Sequence, residues 1–128
     1  VIETFIDEKI EIFGIKNELI QVILNLIQNS KDAFNQNNIK NKKIVIKIYK
    51  DDKNIFLEFI DNALGIDKDL IDKIYEPYFT TKHQSSGTGL GLFISKIIIE
   101  NSFEGEILYE KLENGSKFIL KFPVGSQK

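Results

Sequence analysis

The chain contains no cysteine, methionine, tryptophan or arginine, a single histidine and two prolines. Without cysteine there is no disulfide framework, thiol nucleophile or thiolate metal site, which fits a reducing, cytoplasmic setting. All 17 cationic side chains are lysine, so an arginine finger cannot come from within the chain. No stretch approaches the roughly 18 consecutive apolar residues of a membrane span. No charged-then-apolar signal segment opens the chain, so direct membrane contact is not expected. The 17 lysines face 19 acids, a net charge of −2. That balance lacks the basic excess with which duplex-binding proteins neutralise phosphates, so nucleic acid is not an expected partner. Starting at Val1 with no methionine anywhere, the chain reads as an excerpt of a longer protein.

What is present is ordinary globular material. A 42% hydrophobic and 28% charged composition excludes wholesale disorder, and 128 residues suffice for one domain, 1–128, with one core. VIETFI (1–6) has the β-branched and aromatic character of a short strand. Helical spacing runs from Asn17, read as an N-cap, to about Phe34, where the Asn/Gln cluster at 35–38 ends it. IVIKIY (44–49) and IFLEFI (55–60) read as a hairpin turning through Asp51 to Asn54. DKDLIDKIY (67–75) reads as a short helix stopped by Pro77, 76–88 as a polar loop, and Gly89 to Asn101 as a second long helix. GEILYEK (105–111) and SKFILKF (116–122) flank Glu113-Asn114-Gly115 as a second hairpin. The order predicts an α+β fold: a two-layer sandwich with a mixed, mostly antiparallel sheet and about three helices on one face.

Three segments carry candidate chemistry. In LIQVILNLIQNSKDAF (19–34), Gln21, Asn25, Gln28, Asn29 and Asp32 fall at steps of three and four, forming one narrow polar stripe on a helix otherwise apolar nearly all round. Such a stripe is either a solvated edge or faces something polar and enclosed. In the second case Asn25 and Asn29 present carbonyl oxygens to a nucleotide or a hard cation such as Mg²⁺, which is usually shared with substrate phosphates. In IFLEFIDNALGI, Asp61 ends an apolar strand; it is either an Asx-turn residue or a pocket acceptor for an exocyclic amine. SSGTGLGLFISKIIIEN sets Gly87, Gly89 and Gly91 before an apolar helix. This arrangement offers backbone N–H groups to an anion, yet its spacing is neither a Walker A loop nor a Rossmann fingerprint. Thr80, Thr81 and Lys82 lie upstream in the same loop, within reach of a phosphate. His83 has no partner at catalytic or metal-ligand spacing and reads as a solvated loop residue.

Together and in this order, QVILNLIQNSKDAF, DNALGI, EPYFTTK and GTGLGL resemble the N, G1, F and G2 boxes of the ATP-binding catalytic domain of sensor histidine kinases, the Bergerat-type fold. GSKFILKFP resembles the closing strand of that domain. The resemblance implies ATP and Mg²⁺ as cofactors. Asn29 would ligate the metal bridging the phosphates, and Asn25, one turn earlier, would support the phosphates. Asp61 would accept from the adenine amine, Gly65 would let backbone and water approach the ring, and Ile66 would line the pocket. Phe79 would anchor a lid over 76–88, in which Thr80, Thr81 and Lys82 face the phosphates; Asn25 and Lys82 would serve the transfer step. In GTGLGL, Gly87, Gly89 and Gly91 would let the lid fold, with Thr88, Leu90 and Leu92 beside them and the helix N-terminus from about Leu90 adding its dipole.

Three departures stand out. Ala63 replaces a usual glycine, Asp32 stands where many relatives carry a basic residue, and the phosphoacceptor histidine with its dimerising hairpin is expected upstream. Members of the fold that hydrolyse ATP carry a glutamate four residues before the metal-binding asparagine; here that position is Asn25, which cannot act as a base. The implied function is donation of the γ-phosphoryl group to a histidine on a separate dimerisation domain in two-component signalling. A response regulator would be an indirect partner, and the isolated fragment is expected to be a monomer with little activity. The alternatives are a degenerate nucleotide-binding regulatory module, for which Ala63 speaks, and a serine-directed anti-sigma kinase.

Overall fold

A computed structural model describes residues 1–7, 9–12, 14–77 and 90–124. Strands β1 (Ile2–Ile6), β2 (Ile44–Lys50), β3 (Asn54–Asp61), β4 (Glu106–Leu112) and β5 (Gly115–Pro123) form one sheet in the order β1-β2-β3-β5-β4. Only the β1–β2 pair is parallel, as the long helix α1 (Lys16–Gln36) requires in crossing between them; the other three pairs are antiparallel. A 3₁₀ helix (Lys68–Lys73) and α2 (Gly91–Ser102) complete the described elements.

Period-two alternation explains the layers. On β3, Ile55, Leu57, Phe59 and Asp61 are buried while the residues between them are half-exposed, and on β5 Ser116, Phe118, Leu120 and Phe122 match that phase. This buried face joins Val22, Leu26 and Phe34 of α1 and Ile98 and Ile99 of α2 in one core. The α+β sandwich with a mixed sheet is therefore present.

Several boundaries differ from the sequence expectation, most of them by a residue or two, and the 67–75 helix is a 3₁₀ helix over 68–73. Helix α1 starts at Lys16, with Ile15 as N-cap and no side-chain cap, so Asn17 lies inside the first turn. The N–H groups of Glu18 and Leu19 already bond the Ile15 carbonyl. At the other end α1 runs two residues past Phe34. Asn38 adopts the left-handed conformation (φ 54°) and the Ile39 N–H returns to the Phe34 carbonyl, a helix stop that asparagine tolerates well. Helix α2 begins at Gly91 rather than Gly89.

The polar stripe on α1 is not uniformly enclosed. Ile20 and Leu24 are 41% and 58% exposed, so the helix is not covered all round. Gln21 and Gln28 face solvent, whereas Asn25, Asn29 and Asp32 are half-buried beside the core face. A helix lying on one sheet buries only one stripe, here the i, i+4 row Val22, Leu26, Ser30 and Phe34.

Candidate functional site

Asp61 is the centre of the site. It ends β3 on the core face, 7% exposed, where an unpartnered carboxylate would be costly. Ser30 of α1 donates its hydroxyl to Asp61 Oδ2 at 2.6 Å. Ser116 of β5 donates to Oδ1 at 3.0 Å, and the Ala63 N–H donates to the same oxygen at 3.1 Å. The last contact is an Asx turn, so the turn-forming role coexists with a buried acceptor. A carboxylate offers about four lone-pair positions. Among the described residues three are taken, and the position left over is on Oδ2, which accepts there from Ser30 alone. An amine N–H fits there; a carbonyl does not.

The turn that follows is held from several sides. Asn37, the C-cap of α1, donates to the Ala63 carbonyl at 3.0 Å. Asn62 accepts from the Lys43 N–H and donates to the Asn41 carbonyl. The Ile66 N–H donates to the Tyr109 hydroxyl of β4 at 2.8 Å. Ala63 is buried, and its φ is not among the positive ones, so its methyl carries no backbone strain. The left-handed pair is Leu64 and Gly65, with φ of 74° and 78°, a conformation that strains leucine and not glycine. A side chain at Gly65 would also put its Cβ 2.6 Å from the Gly115 carbonyl oxygen. Gly115 opens β5 rather than belonging to the turn, and a Cβ there would lie 1.9 Å from the Asp61 carbonyl oxygen. Its lack of a side chain lets the two strands close beside Asp61.

Leu64 is half-exposed, so little packing offsets a left-handed conformation that costs about 1–2 kcal/mol outside glycine. Allowing for the entropy that glycine loses on folding, Leu64→Gly should raise stability by about 0.5 kcal/mol. Leu64→Val should lower it by about 1 kcal/mol, since β-branching is least tolerated there. Thermal melts of the two variants check both signs.

Asn29 is half-buried, and among the described residues nothing bonds its amide. It lies one turn from Asn25, whose amide nitrogen donates to the Gly91 carbonyl at 3.3 Å and to Ser95 Oγ at 3.1 Å. Ser95 is fully buried. Asn25 therefore ties α1 to the first turn of α2, and among the described residues its own carbonyl oxygen is left over. Leu90 is the N-cap of α2, Gly91 its first residue, and Leu92 packs against the core. Phe79, Thr80, Thr81, Lys82, Gly87, Thr88 and Gly89 lie outside the described residues, as does His83.

Two phenols, Tyr75 and Tyr109, are half-buried, and the second is bonded to the turn. Burial pushes the Tyr109 hydroxyl up from its ordinary pKa, partly offset by the Ile66 N–H and Ser116. Burial raises that of Tyr75 further; its hydroxyl has no hydrogen-bond partner among the described residues, and Lys96 Nζ stands 5.2 Å from its ring centroid. Sequence reasoning missed Ser30, Asn37, Tyr109 and Ser116. For the two serines a signal was present, since each is a polar residue on the inward phase of an otherwise apolar element.

This fold and this arrangement have known counterparts. The family described as histidine kinase-, DNA gyrase B-, and HSP90-like ATPase matches residues 14–126, and the chain belongs to it. Within that family it is a histidine kinase catalytic, ATP-binding domain. The catalytic domain of histidine kinase ThkA, in a nucleotide-free form, superposes with a TM-score of 0.78 at 32% identity, covering 95% of this chain and 78% of that one. The signal transduction histidine-protein kinase AtoS of Escherichia coli K12 is 36% identical over 125 residues, 95% of this chain. The two-component sensor PprA of Pseudomonas aeruginosa is 30% identical over 122 residues, 93% of this chain. The chain spans only 19% and 13% of the lengths of AtoS and PprA. ThkA has also been solved in complex with the response regulator protein TrrA; that match has 30% identity and a TM-score of 0.75, covering 95% of this chain and 34% of ThkA.

Proposed function

We propose that this domain binds Mg²⁺-ATP and donates the γ-phosphoryl group to a histidine on a separate dimerisation domain of its parent sensor kinase. A response regulator would take the group from that histidine. Asp61 would accept from the adenine amine on its free Oδ2 position, beside Gly65 and Ile66. The half-buried Asn29 amide fits a hard cation shared with phosphates: it is an oxygen donor with nothing bonded to it among the described residues. No group of three His, Cys, Asp or Glu among the described residues could hold a metal by itself, which suits an ion carried largely by substrate phosphates. Bound there, Mg²⁺ would supply charge neutralisation to the departing phosphates. Phe79, Thr80, Thr81, Lys82, Gly87, Thr88 and Gly89 would form the lid and its phosphate contacts, ahead of Leu90, Gly91 and Leu92 at the start of α2.

The observation that carries transfer over hydrolysis is at Asn25. Where the hydrolytic branch of the fold, by the resemblance, carries a water-activating glutamate, this chain has an amide, and its nitrogen is engaged by Gly91 and Ser95. No base is available there to activate water. Transfer would then rest on positioning and electrostatics. The acceptor imidazole nitrogen would bond to the γ-phosphorus as the bond to the β,γ-bridging oxygen breaks, leaving ADP. Among the described residues no helix is long and apolar enough to cross a membrane. The domain would work in the cytoplasm, whether or not its parent is anchored in the inner membrane.

The test is incubation of the domain with γ-labelled ATP, Mg²⁺ and a separately purified phosphoacceptor hairpin from a two-component kinase. Label should pass to the hairpin and be lost in acid, as phosphohistidine is. Intact ATP binding without transfer would replace this reading with a regulatory nucleotide-binding module. Acid-stable label would indicate a serine-directed kinase.

A further inference from the structure

Tyr109 is not among the residues that the family motifs single out, yet it holds the far end of the 61–66 turn. Its ring faces inward from β4 and packs edge-on against Phe118, its ladder partner, at 4.9 Å between centroids. Its hydroxyl accepts the Ile66 N–H at 2.8 Å. At the start of the same turn the Ala63 N–H donates to Asp61 Oδ1 at 3.1 Å, and the Ser116 hydroxyl donates to that oxygen at 3.0 Å. The phenol and the carboxylate thus hold one short turn from its two ends. Gly65, whose Cβ would stand 3.1 Å from the Tyr109 oxygen, lies directly against it.

We propose that Tyr109 is a positioning residue of the nucleobase site, its hydroxyl fixing the 61–66 turn and, through the Ala63 N–H of that turn, the carboxylate that receives an exocyclic amine. The inference rests on the reading of Asp61 as that acceptor, and it concerns recognition of the base rather than of the phosphates. A hydroxyl that merely stabilised the fold would affect all nucleotides alike. One that orients Asp61 would affect only ligands carrying the amine.

Tyr109→Phe keeps the ring on Phe118 and removes only the hydroxyl. Affinities of the unsubstituted chain and the variant are measured for ATP and for purine riboside triphosphate, which lacks the 6-amine. Affinity for ATP should fall about fivefold, the weight of one hydrogen bond, and that for the amine-free nucleotide by less than about twofold. Amide exchange at Ile66 in the nucleotide-free variant should also quicken. Equal losses for both nucleotides, or an unchanged ATP affinity, would overturn the proposal and leave the nucleotide site standing. Failure of the unsubstituted chain to bind ATP would overturn the site reading itself.

Discussion

Asp61→Asn should weaken ATP binding by about a hundredfold while the domain stays folded. Three donors converge on this side chain, and an amide has one oxygen and one nitrogen to offer them. With its oxygen toward Ser116 and the Ala63 N–H, the amide keeps two of the three contacts. Its nitrogen then faces Ser30, whose hydroxyl can turn and accept, so the cost to stability is about 1 kcal/mol. The reverse orientation would set the nitrogen against two donors and is worse. In the favoured orientation the nitrogen occupies the position left open for a ligand. An adenine amine would meet a donor instead of a charged acceptor. That substitutes repulsion for a charge-assisted hydrogen bond worth about 1.5–3 kcal/mol, hence the size of the effect. Calorimetric titration with ATP, paired with a thermal melt, checks it. An affinity within about threefold of the unsubstituted chain would remove Asp61 from the base site.

The sequence made the elements legible and the contacts between them much less so. The inward rows of β3 and β5 follow from alternation alone, as do the hairpins at Asp51 to Asn54 and at Glu113-Asn114. Asn17 was a misleading cap because residue type favours a cap without fixing its position. Ser30 and Ser116 could have been flagged, since each interrupts an apolar row; what could not be read was that both reach Asp61, 31 and 55 residues away. Such pairings depend on register and helix placement, which only the folded chain sets. Nothing local in GEILYEK says that the Tyr109 hydroxyl meets Ile66, 43 residues off. Gly115 read as a turn glycine, whereas close approach of β3 and β5 explains it. Ala63 was a reason to suspect a degenerate site. Its unstrained, buried backbone position takes away that reason. The resemblance brought Asn29 and Asp61 into one reading before any contact was known, because motif order carries the long-range information that periodicity lacks.

Asn29→Ala should abolish the Mg²⁺-dependent part of ATP binding and reduce phosphotransfer about 100- to 1,000-fold, with stability within about 0.5 kcal/mol of the unsubstituted chain. The contrast with Asn25, one turn away, makes the prediction sharp. Both amides lie on the same half-buried stripe, but Asn25 bonds Gly91 and fully buried Ser95 and so holds α1 against α2. Removing it breaks those contacts and leaves Ser95 Oγ without that partner, so Asn25→Ala should cost about 1–2 kcal/mol of stability whatever happens to ATP. Asn29 has no such structural duty among the described residues. Its removal also replaces a polar residue by a strong helix former inside α1, which favours the helix slightly. A loss of function without a loss of stability is the signature of a side chain retained for a ligand. ATP titrations with and without Mg²⁺, alongside melts of both variants, separate the two asparagines. Unchanged Mg²⁺ dependence in Asn29→Ala would mean that the metal is held elsewhere. A large drop in its melting temperature would mean that Asn29, like Asn25, belongs to the scaffold.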